Sequence, residues 1–287
     1  MESNHSKSEI WLKIIVFTVA FVIFVGLFEL FGYYVAGANP LDITIVTTIK
    51  QEVIIYFFGL LAGLSIVFMF MRFVDNEALS HLGLSLENRM KDIGLGIAAG
   101  LVIMGIGFLA LLLLNQITFE NIAFNAEKLA LSIILFMIVA VLEEIVCRGY
   151  ILRNLLKIHR GEIALIISSV IFALMHAFNP HMGWISYINL FLSGIVLGLP
   201  YILTKNLWFS IALHFSWNFF QALFGFSVSG KSSFSLVNIG RTENNLINGG
   251  DFGFEGSIFC VIALLLLIGY MNFQAKSQNN ITQKDLT

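Results

Sequence analysis

The chain has little charge and almost no cysteine. Asp, Glu, Lys and Arg make up 12% of its 287 residues, about half the share usual in soluble domains. With 58% hydrophobic residues and a mean hydropathy of +0.88, this excludes a soluble globular protein and leaves an integral membrane protein. Only Cys147 and Cys260 are present, each inside or beside an apolar run. They define no disulfide framework and no repeated four-ligand metal site, and each reads as a small buried residue. A net charge of -2 and the absence of a basic cluster interleaved with aromatics exclude nucleic acid as a partner. There is no HExxH signature for zinc, no inverted pair of broken helices of the kind that marks many transporters, and no ten-residue alternation of the kind a membrane barrel needs.

What is present is a series of apolar runs. Eight candidate spans fall at roughly 12–36, 50–71, 93–115, 128–147, 162–177, 185–203, 207–225 and 257–273, the fifth and sixth short or interrupted. The expected fold is an all-α polytopic transmembrane helix bundle, one membrane domain over 1–287. Its candidate core is 128–226, followed by an external loop at 227–256 and a polar tail at 274–287. Lys7 and Lys13 before an apolar stretch, and Ala36-Gly37-Ala38 after it, resemble a signal peptide. The run is too long for a secretory apolar core, so a retained first helix is preferred. Placing the N-terminus inside puts twelve of the 16 basic residues, Arg148 and Arg153 among them, on the cytoplasmic side. Lys50, Lys128, Lys231 and Arg241 fall outside, which fits the positive-inside rule with both termini cytoplasmic. No organellar targeting segment is seen, which favours a prokaryotic plasma membrane. The tail with His5 reads as disordered, and the Gly, Asn and Ser of 227–256 read as a mobile, solvent-facing loop. Leu79, Leu82, Leu84 and Leu86, between the second and third spans, read as resting on the bilayer surface.

The costliest residues are in Ala140 to Arg153, AVLEEIVCRGYILR. Glu143 and Glu144 fall near one end of the fourth span, and intramembrane carboxylates point to a partner or a function. Neighbours on a helix diverge by about 100°, so the two cannot do the same work. Arg148 lies four residues after Glu144 in the favourable acid-before-base order, which makes those two an intrahelical supporting pair. Glu143 is then free to act as the reactive carboxylate. Cys147, one turn on, is assigned to packing, because a buried thiol with no base against it is inert.

Three more polar residues lie in later spans. His176, in SSVIFALMHAFNP, shares a face with Phe172 and sits where Asn179-Pro180 ends the helix. His214 and Asn218, in WFSIALHFSWNFFQALFG, are four apart on one face, and Gln221 continues that side. His176 and Glu143 fall toward opposite membrane sides on this topology, so they meet only if the fifth span is short and tilted. A carboxylate and a neutral imidazole can activate water, and an imidazole with an amide can supply oxyanion donors. Those are the parts of a peptide hydrolase that uses no serine or cysteine. Glu143, His176 and His214 are also a donor set that zinc accepts, with water in the fourth position. The sequence does not choose between these arrangements, and no cofactor is certain. Glu29 is a candidate for substrate or structural contact. Tyr187, Asn189 and Ser193 are candidates for the border of the same cavity, and Gly94, Gly96 and Gly100 for close helix approach.

Glu143-Glu144 with Arg148 resembles the EExxxR motif of the CPBP intramembrane proteases, which include type II CAAX prenyl endopeptidases and bacterial Abi proteins. Phe172 to His176 resembles that family's FxxxH motif, and His214 to Asn218 its HxxxN or HxxxD motif. The three occur in order, each in or late in its own apolar span, and Leu82 to Leu84 after Arg72 looks like an upstream feature of the family. Cys147 departs from the aromatic residue common before the arginine. The resemblance implies an eight-helix bundle in which Glu143 and His176 activate water, His214 and Asn218 complete the site, and Arg148 steadies the glutamate helix through Glu144. The implied partners are membrane lipid and a membrane-associated or lipidated peptide or protein; the family name also implies metal dependence. The competing functions are a nonproteolytic binding, regulatory or bacteriocin-immunity protein and a proton-coupled transporter.

Overall fold

A computed structural model describes residues 6–41, 47–241 and 243–284. Eight helices form an all-α bundle: α1 (Lys7–Val35), α2 (Ile49–Met69), α3 (Met90–Leu113), α4 (Ala126–Glu144), α5 (Gly161–Met175), α6 (Trp184–Thr204), α7 (Trp208–Leu223) and α8 (Ile258–Lys284). Six of them are long and apolar enough to cross a membrane, whereas α5 and α7, at 15 and 16 residues, are shorter. Helix starts follow their capping chemistry. Ser6 and Glu9 form a capping box on α1, and Thr48 and Gln51 form one on α2. His5 lies outside the described residues, as do the last three of the chain. The helix α8 continues through the polar segment as far as Lys284. A two-stranded antiparallel ribbon joins β1 (Thr118–Ile122) to β2 (Val237–Gly240).

The fourth helix does not stop where its apolar run ends. After Glu144 it widens into a π turn over Ile145–Leu152 and closes with Arg153–Leu155, giving a continuous span of 30 residues over Ala126–Leu155. The glutamates therefore sit near the middle of the helix and not near one end. This removes the depth conflict with His176, which terminates the short α5. It also corrects the charge count, because Arg148 is 1% exposed and does not belong to a solvated segment.

Helix α7 is the central element, with twelve of its residues buried. That is why it can carry a line of polar groups through an apolar bundle: each hydroxyl finds a carbonyl on a neighbour. Ser210 Oγ donates to Leu197 O at 2.7 Å, and Ser216 Oγ to Gly96 O at 3.0 Å. A Cβ on Gly96 would come within 2.9 Å of Leu213 N, and one on Gly100 within 2.1 Å of Ser216 Oγ. These two glycines set the approach of α3 to α7, whereas Gly94 meets nothing within 4 Å.

Two connections differ from the sequence expectation. Leu82 does not lie on a bilayer surface. It is 3% exposed and packs on Gly149 at the π turn, while Leu84 is partly buried and only Leu79 and Leu86 remain exposed. Gly83, with φ of 89°, turns the chain so that its carbonyl accepts from Leu207 N and the Leu84 carbonyl accepts from Trp208 Nε1. The connection after α7 packs on the bundle in its last part, over 248–256, while Lys231, Ser232 and Asn244 stay exposed. Phe252 and Phe254 are buried, and Phe254 fills the space that Gly107 leaves on α3. Asn189 Nδ2 holds the carbonyls of Glu255 and Ser257, and Glu255 Oε2 accepts from the backbone and hydroxyl of Ser229.

The glycine contacts give a direct comparison. Gly100→Ala is expected to lower stability by about 1–3 kcal/mol, because the added carbon meets the α7 backbone. Gly94→Ala should be neutral or gain about 0.5–1 kcal/mol from the helix interior. Thermal unfolding in one detergent checks this, and equal stability of the two variants would overturn the packing account.

Candidate active site

Glu143 and Glu144 leave α4 in different directions, as their spacing requires. Glu144 is fully buried and points into the bundle. Its Oε1 accepts from Arg148 Nη1 at 2.7 Å and is paired with His214 Nδ1 at 2.8 Å. The arginine is held by more than its carboxylate. Nη2 donates to Gly194 O at 3.2 Å, and the guanidinium lies 4.4 Å from the centre of the Phe172 ring. The carbonyl is within reach because Gly194 lets α6 approach α5 until a Cβ would stand 2.7 Å from Ser169. The expected Glu144 and Arg148 pair is thus observed. The bond from Glu144 to His214 was not foreseen; its partners are 70 residues apart, and nothing in the local pattern signals it.

Glu143 faces the other way, into a cavity of about 220 Å³ that it lines with His176, His214 and Asn218. His176 Nδ1 lies 2.8 Å from Phe172 O. A carbonyl only accepts, so Nδ1 carries a proton and Nε2 is left toward the cavity. His214 is oriented in the same sense, with Nδ1 on Glu144. Both Nε2 atoms converge on a single oxygen, Glu143 Oε2, at 3.6 Å from His176 and 3.9 Å from His214. That oxygen has no hydrogen-bond partner among the described residues. These separations are too long for direct hydrogen bonds and short enough for one small polar molecule to touch all three groups. Asn218 is 5% exposed and borders the same space one turn beyond His214.

The four residues expected in the site are therefore brought to one cavity, with Glu144 and Arg148 behind them. Of the other border candidates, only Ser193 lines it. Tyr187 donates to Ala177 O, and Asn189 is committed to the cap. The Gln221 amide donates to Ser227 O at 2.6 Å and fastens the start of the cap. Cys147 is buried with Sγ 3.8 Å from Met175 Sδ, a packing contact.

The donor types of Glu143, His176 and His214 suit zinc, and their spacing is somewhat wider than in a closed tetrahedral site. Ligands held tetrahedrally at about 2.0–2.1 Å stand about 3.4 Å apart, against 3.6 and 3.9 Å here. Among the described residues, no group of three or more His, Cys, Asp or Glu is arranged to hold a metal ion.

Comparison with known proteins gives one result. Residues 125–220, about a third of the chain, match the family model described as type II CAAX prenyl endopeptidase Rce1-like. Neither the curated proteins nor the solved structures provide a match. The matched segment runs from the N-cap of α4 into α7 and contains all three motifs. The match supports the CPBP/CAAX protease family for this chain and, in general terms, a CAAX-type intramembrane endopeptidase acting on a membrane-associated substrate.

Proposed function

We propose that this protein hydrolyses a peptide bond of a membrane-associated peptide or protein with water activated by Glu143 and His176, without a covalent intermediate. The observation that supports it is the convergence of two imidazole Nε2 atoms on Glu143 Oε2 at 3.6 and 3.9 Å. In this reading a water lies between them. His176 Nε2 accepts one of its protons in a hydrogen bond, and the Glu143 carboxylate removes the other as the oxygen adds to the scissile carbonyl. The carbonyl becomes an oxyanion, which accepts from the Asn218 amide and, when His214 carries both protons, from His214 Nε2. Glu143 then returns its proton to the leaving nitrogen, the C–N bond breaks to give an amine and a carboxylic acid, and the acid proton passes to His176 Nε2 and on to solvent, leaving a carboxylate.

Glu144 has a different role. It fixes the His214 ring through Nδ1 and neutralises Arg148, so it positions the site without touching the reacting atoms. Removing one member of such a buried pair leaves the other uncompensated and costs about 3–5 kcal/mol. Glu143, partly open to the cavity with 23% side-chain exposure, carries no such structural burden.

These roles predict different losses. Glu143→Gln should lower kcat by about 10²–10⁴ with the melting temperature kept, whereas Glu144→Gln should lose stability together with activity. A non-hydrolytic binding or immunity role would survive Glu143→Gln, and full cleavage by that variant contradicts the proposal. Asn218→Ala should reduce kcat by about 10²–10³ with little change in KM; a loss confined to KM would remove its oxyanion role. Prolonged dialysis against a strong chelator should leave cleavage intact, and activity lost on chelation and restored by zinc would reverse the metal-free reading.

A further inference from the structure

The cavity has a second polar group at its mouth that the hydrolysis does not use. Glu52 and Tyr56, from the first turns of α2, line it with Lys231, Ser232 and Ser233 of the cap. Glu29 comes from the last two turns of α1, packs against Gly59, and interacts electrostatically with Lys231 and Tyr56. Lys231 Nζ donates to Tyr56 Oη at 2.9 Å and lies 5.5 Å from the centre of that ring. Glu52 accepts from Thr47 at 3.1 Å and also interacts with Lys231. Among the described residues, neither Glu29 nor Glu52 has an ion-pair partner within 4.0 Å.

The Tyr56 ring and hydroxyl thus hold an exposed ammonium, and two carboxylates beyond 4.0 Å interact with it electrostatically. The Tyr56 hydroxyl that accepts from Nζ, with Glu29 nearby, favours the ammonium against desolvation, and a lysine is in any case cationic at neutral pH. The turn is anchored before Lys231, and the chain is next tied down at Leu236, whose carbonyl accepts from Ala123 N, and in β2. Ser229 is held by Glu255 and Asn179, Gly230 N donates to Phe252 O, and Val228 and Lys231 exchange backbone bonds of 2.9 Å. Between these anchors Ser233 Oγ lies at the cavity with no hydrogen-bond partner among the described residues. The lysine side chain can leave Tyr56 without unmaking the anchored part of the cap.

We propose that Glu29, Glu52 and Tyr56 form a cation subsite at the cavity mouth, occupied by the chain's own Lys231, and that a Lys or Arg side chain of the substrate displaces Lys231 on entry. This rests on the endopeptidase reading for the word substrate, but the subsite itself is a binding property. Two carboxylates against one loop lysine leave the mouth with an excess of negative charge, which attracts a cation and repels an acidic segment. Aromatic and carboxylate partners together suit an ammonium or a guanidinium.

The test uses two fluorescent apolar peptides, identical except for one central lysine or glutamate, bound to the full-length Glu143→Gln protein in nanodiscs. The lysine peptide is expected to bind about tenfold more tightly than the glutamate peptide. The isosteric Glu29→Gln/Glu52→Gln pair should bring the two affinities together, and Lys231→Met should tighten the lysine peptide by removing its competitor. Preference for the glutamate peptide that vanishes in Lys231→Met would make Lys231 an anion anchor and overturn the proposal. Equal binding of the two peptides, or none, overturns it as well. Because the Glu143→Gln protein is read by binding, cleavage by the parent is scored separately. Charge-selective binding without any cleavage would retire the hydrolase reading and leave the subsite standing.

Discussion

The structure depends on a buried chain of charge running from Arg148 through Glu144 to His214. Each member is expensive in an apolar bundle and acceptable only because the next is present. Arg148 without Glu144 is an uncompensated cation, and Glu144 without Arg148 an uncompensated anion. The chain also ties α4 to α7 by a bond of defined direction, which apolar packing alone would not provide. The tie fixes the His214 ring, so its free nitrogen faces Glu143 and not the apolar wall. Phe172 serves the same end from α5: its carbonyl sets the His176 ring and its face covers the Arg148 guanidinium. One phenylalanine thereby connects the supporting pair to the cavity.

The surrounding backbone brings these groups together at three close approaches. Gly96 and Gly100 admit α7 against α3, Gly194 admits α5 against α6, and Gly149 at the π turn admits Leu82. A π turn beginning just after Glu144 extends α4 beyond its apolar run and places the carboxylates at mid-helix. Wide turns of this kind recur at functional sites, where an inserted residue re-aims side chains.

Much of this was legible in the sequence, and the parts that were not have physical reasons. Apolar length alone located all eight helices, since a membrane leaves the backbone few other choices. Helical spacing was enough to separate Glu144 with Arg148 from Glu143, and to set His214 and Asn218 on one face. What spacing cannot carry is contact between helices, so the Glu144 to His214 bond and the grip of Arg148 on Gly194 were invisible. Composition misled at two loops. The Gly, Asn and Ser of 227–256 suggested solvent, yet these residues make the tight turns and side-chain bonds that let Phe252 and Phe254 drop into the bundle. Leu82 looked like a surface leucine because the glycine after it, which turns it inward, gives the same signal in any loop. The mouth cluster of Glu29, Glu52, Tyr56 and Lys231 draws on three distant segments, and of these only Glu29 stood out as a contact candidate, with Lys231 counted for its charge alone.

The central claim is that a water molecule, and not the Glu143 carboxylate itself, attacks the peptide carbonyl. A single-turnover cleavage in ¹⁸O-enriched water, with excess enzyme and mass analysis of both product and protein, tests it most directly. Attack by water places one heavy oxygen in the newly formed product carboxylate and none in Glu143. Heavy oxygen recovered in the Glu143 side chain would mean that a covalent acyl link had formed there, and would contradict the account.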